Sequence, residues 1–221
     1  RSSGRRPRRA PVTFDASRAD VLKVLKFAAS RAGARTTVNI LRNLHLSAED
    51  GHLVVTGCDG SRWGRGRCPV IVADAGAVCI EATDLVSAVK AAGESFRLTF
   101  DPKGSATLAS GSYRRKLLTL DAADFPPMSA FAGDPVPWAK LAASVRSVEG
   151  ALSTDRHRMM LTEFCVRGGF AVATDTERLH LRPVDDLGSY GVPSTMVAVP
   201  DTAEVFASPA RWWWRDGDFE G

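Results

Sequence analysis

The sequence predicts an α+β protein in which one unit, a helix followed by an antiparallel hairpin, occurs twice. Short runs of alternating apolar and polar residues, separated by turn residues, are typical of half-buried strands. The few segments with helical periodicity each precede a group of such strands. An internal repeat of about 120 residues places Leu41 on Leu161 and aligns LRNLHLS with LTEFCVR. These three observations predict two structurally similar domains.

The first repeat is predicted to begin with a short strand, Val12 to Asp15, and a helix, Ser17 to Ala32. Apolar residues at helical spacing give this helix one buried side, and Lys23 and Lys26 lie on another side. Gly33 is suited to end the helix because glycine tolerates the backbone conformation that follows a last helical turn. The first element therefore has an apolar side and a basic side.

Strands dominate the rest of the first repeat. A hairpin is predicted from Asn39 to Ser47 and Leu53 to Thr56, joined by a Glu-Asp-Gly turn. Turn residues delimit the remaining elements. Further strands are expected at Arg62 to Val72, Val78 to Glu81, Phe96 to Asp101, Ala106 to Ala109 and Tyr113 to Leu120, with a second helix from Thr83 to Gly93.

The second repeat restarts the same order with a helix from Trp138 to Leu152. A strand from Met160 to Val166 follows it, and a glycine turn leads to a returning strand, Phe170 to Ala173. The predicted organisation is a disordered basic tail (1–10), a first domain (11–128), a proline-rich linker (129–137), a partial second domain (138–206) and a divergent tail (207–221).

The charge balance limits how the chain can bind nucleic acid. There are 29 basic and 25 acidic residues, but five of the arginines lie within the first nine residues. Without those five, the body carries 24 basic against 25 acidic residues. A nearly neutral body permits DNA contact on a local face only.

Composition also bears on membranes, metals and compartment. No apolar run approaches the ~20 residues of a membrane span, so no membrane partner is expected. The four cysteines lack the close pairing of zinc ligands, and we expect reduced thiols in a cytoplasmic protein without a metal or other cofactor.

Six stretches carry a family resemblance, and they occur in the family's order. In the first domain they are GARTTVNILRNLHLSAEDGHLVVTGCD (33–59), DLVSAVKAAG (84–93) and SGSYRRKLLTLDAADFPPM (110–128). In the second they are STDRHRMMLTEF (153–164), VATDTERLHL (172–181) and MVAVPDTAEVF (196–206). Together they resemble the bacterial DNA sliding clamp family, the DNA polymerase III beta subunit, in a truncated form that lacks the third domain.

The resemblance implies the DNA clamp fold, with repeated domains of antiparallel sheets backed by two helices each. It implies a processivity factor that encircles duplex DNA and tethers the replicative polymerase. It implies a ring-shaped homo-oligomer, with double-stranded DNA, the polymerase and the clamp loader as partners. It implies no catalysis, because the family is an accessory subunit of the DNA-directed DNA polymerase.

A sliding ring needs sequence-neutral phosphate contacts, which lysines and arginines on helices can provide. An ordinary solvated helix face is the alternative interpretation of Lys23 and Lys26. The resemblance places the DNA-binding set at Lys23, Lys26, Arg31, Arg35, Arg146 and Arg156.

The resemblance also implies a groove that receives a short partner peptide with apolar anchors. Such a groove requires a shallow apolar pocket with a few hydrogen-bonding groups at its rim. Glu177 stands where the family commonly has histidine. Burial in the sheet core is the alternative interpretation of Leu161 and Leu179. The groove residues are Arg158, Leu161, Thr174, Arg178 and Leu179.

The end of the chain departs from the family. In the family, a second helix of this domain begins shortly before the point where this chain stops, and further strands and a third domain follow it. Here residues 207–221 read ASPARWWWRDGDFEG instead. The triplet Trp212, Trp213 and Trp214 fits neither a helical stripe nor an alternating strand. It is expected either to cap an open sheet or to come from a shifted reading frame. A second domain without its last strands should be labile.

Two other functions remain open at this point, and a third, that of an enzyme, is disfavoured. No cluster of nucleophile, base and orienting partner occurs, so enzymatic chemistry is not expected. A clamp-derived interaction module could bind replication partners without encircling DNA. The arginine-rich tail, Arg1 to Arg9, could itself bind about five phosphates and give a steep salt dependence.

Overall fold

The computed structural model describes residues 12–33, 36–101, 104–128, 133–155, 157–185, 188–208 and 211–221. They form two compact units. The first contains the described residues up to 128 together with Asp218–Gly221, and the second contains those from 133 to 217.

The first unit is an antiparallel sheet with two α-helices. Its elements are β1 (Thr13–Ser17), α1 (Arg18–Ala29), β2 (Asn43–Glu49), β3 (His52–Cys58), β4 (Trp63–Pro69), β5 (Ile71–Asp74), β6 (Gly76–Glu81), α2 (Ala82–Ala91), β7 (Ser95–Asp101), β8 (Ser105–Ser110) and β9 (Tyr113–Leu120). Neighbouring strands follow the order β4-β3-β2-β6-β9-β8-β7-β1-β5. Short 3-10 turns lie at Asn39–Arg42 and Ala122–Asp124.

The second unit has one α-helix among its described residues. Its elements are β10 (Asp134–Val136), α3 (Trp138–Val148), β11 (Glu163–Arg167), β12 (Phe170–Thr174), β13 (Leu179–Pro183), β14 (Tyr190–Pro193), β15 (Glu204–Ala207) and β16 (Trp212–Asp216), with 3-10 turns at Glu149–Ala151, Met159–Thr162 and Ser194–Ala198. One sheet has the order β13-β12-β11-β14. Strand β15 pairs with β10 and with β16.

The last strand of the chain, β17 (Phe219–Glu220), belongs to the first unit and pairs antiparallel with β4. The described part of the chain is therefore mainly antiparallel sheet with three α-helices. This confirms the α+β class and the antiparallel sheets predicted from the alternating pattern.

Helix α1 packs closely against the first unit's sheet. Its buried face consists of Val21, Val24, Leu25 and Ala28. A Cβ atom on Gly57 of β3 would collide with the carbonyl oxygen of Ala28, so the absence of a side chain lets the helix approach the strand. Helical spacing thus buries one side of this helix and leaves Lys23 and Lys26 exposed.

The repeat is visible in individual hydrogen bonds. In the first unit the amide of Gly33 donates to the carbonyl of Leu41 at 2.8 Å, and in the second the amide of Ser153 donates to the carbonyl of Leu161 at 2.9 Å. Each leucine lies in a 3-10 turn that leads into a strand. The alignment therefore pairs two leucines whose carbonyl oxygens accept equivalent hydrogen bonds in the two units.

Two predictions for the end of the chain are wrong. The resemblance implies a helix close to the end of this chain, but Glu204–Ala207 form strand β15. The tryptophan triplet fits no alternating pattern, but Trp212–Asp216 form strand β16. Val205 pairs with Trp214 and is buried, as Trp214 is, whereas Glu204 is exposed. This in-and-out burial and the pairing on both sides of β15 explain the strand.

Candidate functional site

The turn between β12 and β13 is held by the side chains of its own residues. Oδ1 of Asp175 accepts hydrogen bonds from the amides of Glu177 (3.0 Å) and Arg178 (2.7 Å). Oδ2 accepts from Nε and Nη2 of Arg178 at 3.0 and 2.7 Å. Oγ1 of Thr174 donates to the carbonyl of Arg178 at 2.7 Å and accepts from the amide of Thr176 at 3.1 Å. The turn is therefore held in one conformation by hydrogen bonds among its own residues.

These contacts keep Asp175 charged. The amide of Arg178 is the largest cause, followed by its guanidinium, and together they lower the pKa of Asp175 to about 2. Thr176 adopts a positive φ of 82°, and its amide donates to Oγ1 of Thr174. The chemistry of the turn is a fixed ion pair, without an activated base or nucleophile.

The predicted groove residues gather partly around this turn. Thr174 and Leu179 are opposite each other in the β12–β13 register. Nη1 of Arg158 lies 3.4 Å from Oγ1 of Thr176, which joins Arg158 to the turn. Leu161 lies in the preceding 3-10 turn and is half-buried. The structure thus connects Arg158, Thr174, Arg178 and Leu179 through hydrogen bonds and strand pairing.

Leu179 is not a core residue, which removes the alternative interpretation for this position. Its exposed fraction is 58%, and that of Leu181 on the same strand is 52%. Strand β13 is the edge of its four-stranded sheet, and both leucines alternate with polar neighbours along it. Leu181 was missed from the sequence, although its alternation with Leu179 was a usable signal. The edge offers an apolar row beside the charged turn.

The first unit contains the same kind of turn between β3 and β4. The carboxylate of Asp59 accepts from the amides of Ser61 (2.9 Å) and Arg62 (2.8 Å), and from Nε and Nη2 of Arg62 at 2.9 and 2.7 Å. Burial alone would raise the pKa of Asp59, but the hydrogen bonds from Arg62 and Ser61 outweigh it and lower the pKa to about 2. The Asp-x-x-Arg turn is therefore a property of the repeat.

The basic residues of α1 have different surroundings. Lys23 and Lys26 are exposed, and Nζ of Lys23 lies 5.2 Å from the centre of the Phe219 ring. The Arg31 guanidinium lies over the ring of Phe27 at 5.7 Å. Burial is the largest cause that lowers the pKa of Arg31. Lys23 and Lys26 are available to a polyanion, whereas Arg31 is partly packed.

Arg146 is bound within the second unit. Its Nε donates to the carbonyl of Val197 at 2.9 Å, Nη2 donates to the carbonyl of Val199, and Nη1 forms an ion pair with Asp201. A guanidinium committed to three acceptors has little left for phosphate. These contacts give Arg146 a structural role within the second unit, and its role as a DNA contact stays a prediction.

Part of the predicted DNA-binding set lies outside the described residues. This applies to Arg35 and Arg156, and to the tail from Arg1 to Arg9. Nothing in the structure tests these positions.

The cysteines differ in their surroundings. Cys58, Cys68 and Cys79 are buried, whereas Cys165 is exposed. Burial raises the pKa of Cys68 and of Cys79 to about 12, which makes both thiols poor nucleophiles. Over the described ranges, no group of three or more His, Cys, Asp or Glu side chains is placed to hold a metal ion. None of the helices there has the length and apolar character to cross a membrane.

Comparison with solved structures identifies the fold. The chain resembles the DNA polymerase sliding clamp of Bacillus subtilis with a TM-score of 0.82 and 18% identity, over 96% of this chain and 63% of that one. For the beta sliding clamp of C. crescentus the values are 0.83, 24%, 96% and 64%. For the sliding clamp of Pseudomonas aeruginosa bound to griselimycin they are 0.79, 23%, 96% and 63%. The chain thus has the sliding clamp fold and spans a little under two thirds of these clamps.

The sequence comparisons identify the family. No curated protein sequence matches the chain. The family model described as the DNA polymerase III beta subunit, N-terminal domain, matches residues 12–129, which is more than half of the chain. The chain therefore belongs to the DNA polymerase III beta subunit family.

Proposed function

We propose that the chain acts as a DNA polymerase processivity factor, a sliding clamp that encircles duplex DNA and tethers the replicative polymerase. The observation that carries the proposal is the match of residues 12–129 to the beta subunit's N-terminal domain. The clamp fold and the two exposed lysines of α1 support it. The proposed role contains no chemical step, and its site of action is the cytoplasm.

The proposed DNA surface is the exposed side of α1 with Lys23 and Lys26, to which Arg31 and Arg35 would add charge. Flexible ammonium groups suit a sliding contact because they neutralise phosphates without reading bases. Each phosphate contact contributes about 0.9 to the slope of log affinity against log salt. Loss of both lysines should therefore lower that slope by about 2.

Encirclement is tested by retention on DNA circles. The chain, with a clamp loader and polymerase present, should stay on nicked circular duplex and leave it after linearisation. The proposed ring is a homo-oligomer, so the same sample should show an oligomer by light scattering. Equal retention on circles and linear DNA would contradict the proposal.

A matched pair of variants tests the DNA surface. Lys23→Ala/Lys26→Ala should weaken DNA retention, whereas Arg114→Ala/Lys116→Ala removes the same charge from exposed positions on β9. Equal loss of retention in both variants would show a general charge effect and contradict the assignment of α1.

The proposed partner surface is the peptide groove formed by Arg158, Leu161, Thr174, Arg178 and Leu179. Exposed leucine beside a preformed polar turn is the combination that anchors a short apolar peptide. A labelled clamp-binding peptide from a polymerase is the probe for this surface.

A second function is favoured by the ion-paired turn of Asp175 and Arg178 and by the exposed side chain of Leu179. A clamp-derived interaction module with this surface would bind replication partners without encircling DNA. Peptide binding in the absence of circle retention would support this interaction module over the clamp. Retention that depends on circularity would exclude it.

A further inference from the structure

Arg31 follows the end of α1 and lies against β4. A Cβ atom on Gly64 would lie 2.5 Å from Cγ of Arg31, so the stem of the arginine crosses the strand where glycine has no side chain. The central carbon of its guanidinium lies 5.7 Å from the centre of the Phe27 ring. Gly64 and Phe27 therefore hold the arginine on the face of β4 that α1 covers.

Arg62 lies on the same face. It precedes Gly64 by two residues, and residues two apart in an extended strand point to the same side. Burial is the largest cause that lowers the pKa of Arg31, and the positive charge of Arg62 is the next, whereas the charge of Asp59 acts in the opposite direction. Two guanidinium groups therefore lie near a single carboxylate.

That carboxylate is already fully used. Oδ1 of Asp59 accepts from the amides of Ser61 (2.9 Å) and Arg62 (2.8 Å) and from Oγ of Ser61 (2.8 Å), and Oδ2 accepts from Nε and Nη2 of Arg62. An ionised carboxylate offers about four lone-pair positions. Nε of Arg31 is buried and has no acceptor among the described residues. The pair of arginines therefore has a donor to offer to a further anion.

The matching turn of the second unit differs in this respect. There Arg158 lies beside the turn, with Nη1 3.4 Å from Oγ1 of Thr176, and its Nε lies 3.8 Å from a carboxylate oxygen of Asp155. In the part of the chain that the structure describes, Arg31 forms no such ion pair. The second unit thus provides a carboxylate for its additional arginine, and the first unit does not.

We propose that Arg31 and Arg62 together bind one phosphate group of the DNA backbone. The proposal rests on the clamp function proposed above, and it adds Arg62 to the DNA surface. Lys23, Phe27 and Arg31 follow one another at intervals of four residues, so the site continues the basic side of α1. Phosphate oxygens suit planar arginine donors, and they would supply the acceptor that the buried Nε lacks.

The Nε–H signals of the arginines, observed by NMR in the whole chain, test the site directly. The probes are inorganic phosphate and a DNA duplex of about twelve base pairs, which covers roughly one helical turn. Both should shift the signals of Arg31 and Arg62 together with a single Kd. The duplex should act at a phosphate concentration at least about tenfold lower, because its other phosphates reach the lysines of α1. Arg97, which is exposed and binds one aspartate through Nε and Nη2, is the internal control and should not shift.

A variant then tests whether the two arginines act together. Arg31→Met keeps an unbranched stem beside Gly64 but removes the guanidinium, and it should abolish the shift of Arg62 with inorganic phosphate. It should also lower the salt slope of duplex binding by about 1. The variant should fold normally, because Nε of Arg31 has no acceptor to lose among the described residues. Arg114→Met, which removes an exposed arginine from β9, is the matched control and should leave the Arg62 shift unchanged.

Three results would overturn the proposal. The first is that neither probe shifts Arg31 and Arg62 more than Arg97. The second is a shift of Arg62 that persists in Arg31→Met. The third is a shift with inorganic phosphate but none with the duplex, which would assign the site to a free anion. A short duplex requires no ring, so loss of circle retention with both signals still shifting would contradict the clamp function and leave this site in place.

Discussion

Arg178 forms an ion pair with Asp175, three residues before it. Its Nε and Nη2 both donate to Oδ2 of Asp175, at 3.0 and 2.7 Å. The first unit repeats the relationship between Arg62 and Asp59. One oxygen of the aspartate binds the guanidinium, and the other accepts from the backbone amides of the turn. The same contacts therefore hold the turn in one conformation and lower the pKa of Asp175.

The turns should weaken in acid. The pKa values of Asp59 and Asp175 are both lowered from 3.8 to about 2, so their ionised forms stabilise the folded state. The contribution is complete above about pH 4 and disappears as the pH falls through 2. The measurement is stability against pH for the chain and for Asp59→Asn/Asp175→Asn. The variant should lose part of the slope between pH 4 and 2, and an unchanged slope would contradict the prediction.

Leu179→Ala should weaken binding of a clamp-binding peptide by about tenfold or more, as expected for truncation of an apolar anchor. Stability should change little, because Leu179 is largely exposed. Isothermal titration with the labelled peptide provides the measurement. The control is Leu118→Ala, whose side chain is 84% exposed in the first unit. Equal affinities for both variants would remove Leu179 from the groove.

Arg146→Met should destabilise the second unit by about 1.5–3 kcal/mol, because it leaves the carbonyls of Val197 and Val199 without their donor. DNA retention should stay unchanged in the fraction that is folded. Urea unfolding and circle retention test the two halves of this prediction. Arg167→Met, at an exposed position on β11, is the control. Lost retention with normal stability would restore Arg146 to the DNA surface.

Gly57→Ala should destabilise the first unit by about 1–3 kcal/mol, because the added methyl group meets the backbone of Ala28. Gly150→Ala is the matched control, since the nearest atom to its Cβ would be 3.7 Å away. Thermal unfolding of both variants decides the point. A Gly57 variant as stable as the control would show that α1 can move away from β3.

Much of the fold could be predicted because the pattern is local. The strands at Phe96–Asp101 and Tyr113–Leu120 are bounded by turns and alternate in burial, so periodicity defines them. Asn39 to Ser47 was predicted as one strand but begins with a 3-10 turn at Asn39–Arg42. That turn depends on the contact of Leu41 with Gly33, which periodicity does not encode.

The site was predictable where it lies within one turn. Thr174, Arg178 and Leu179 lie close together in sequence, and the structure keeps them together. Arg146 could not be judged, because its acceptors lie more than fifty residues away. The prediction for the tryptophan triplet was wrong for the same reason, because Trp212–Asp216 forms a strand through its pairing with β15. Both outcomes depend on tertiary contacts that composition cannot report.

The distribution of thiols makes the chain convenient for spectroscopy. Cys165 is the exposed cysteine, and the other three are buried. A maleimide fluorophore should attach at Cys165 first and leave the core intact, because thiolate formation is suppressed inside the protein. A wild-type molecule with one dye on β11 can report the binding of a partner to the same four-stranded sheet without any engineered cysteine.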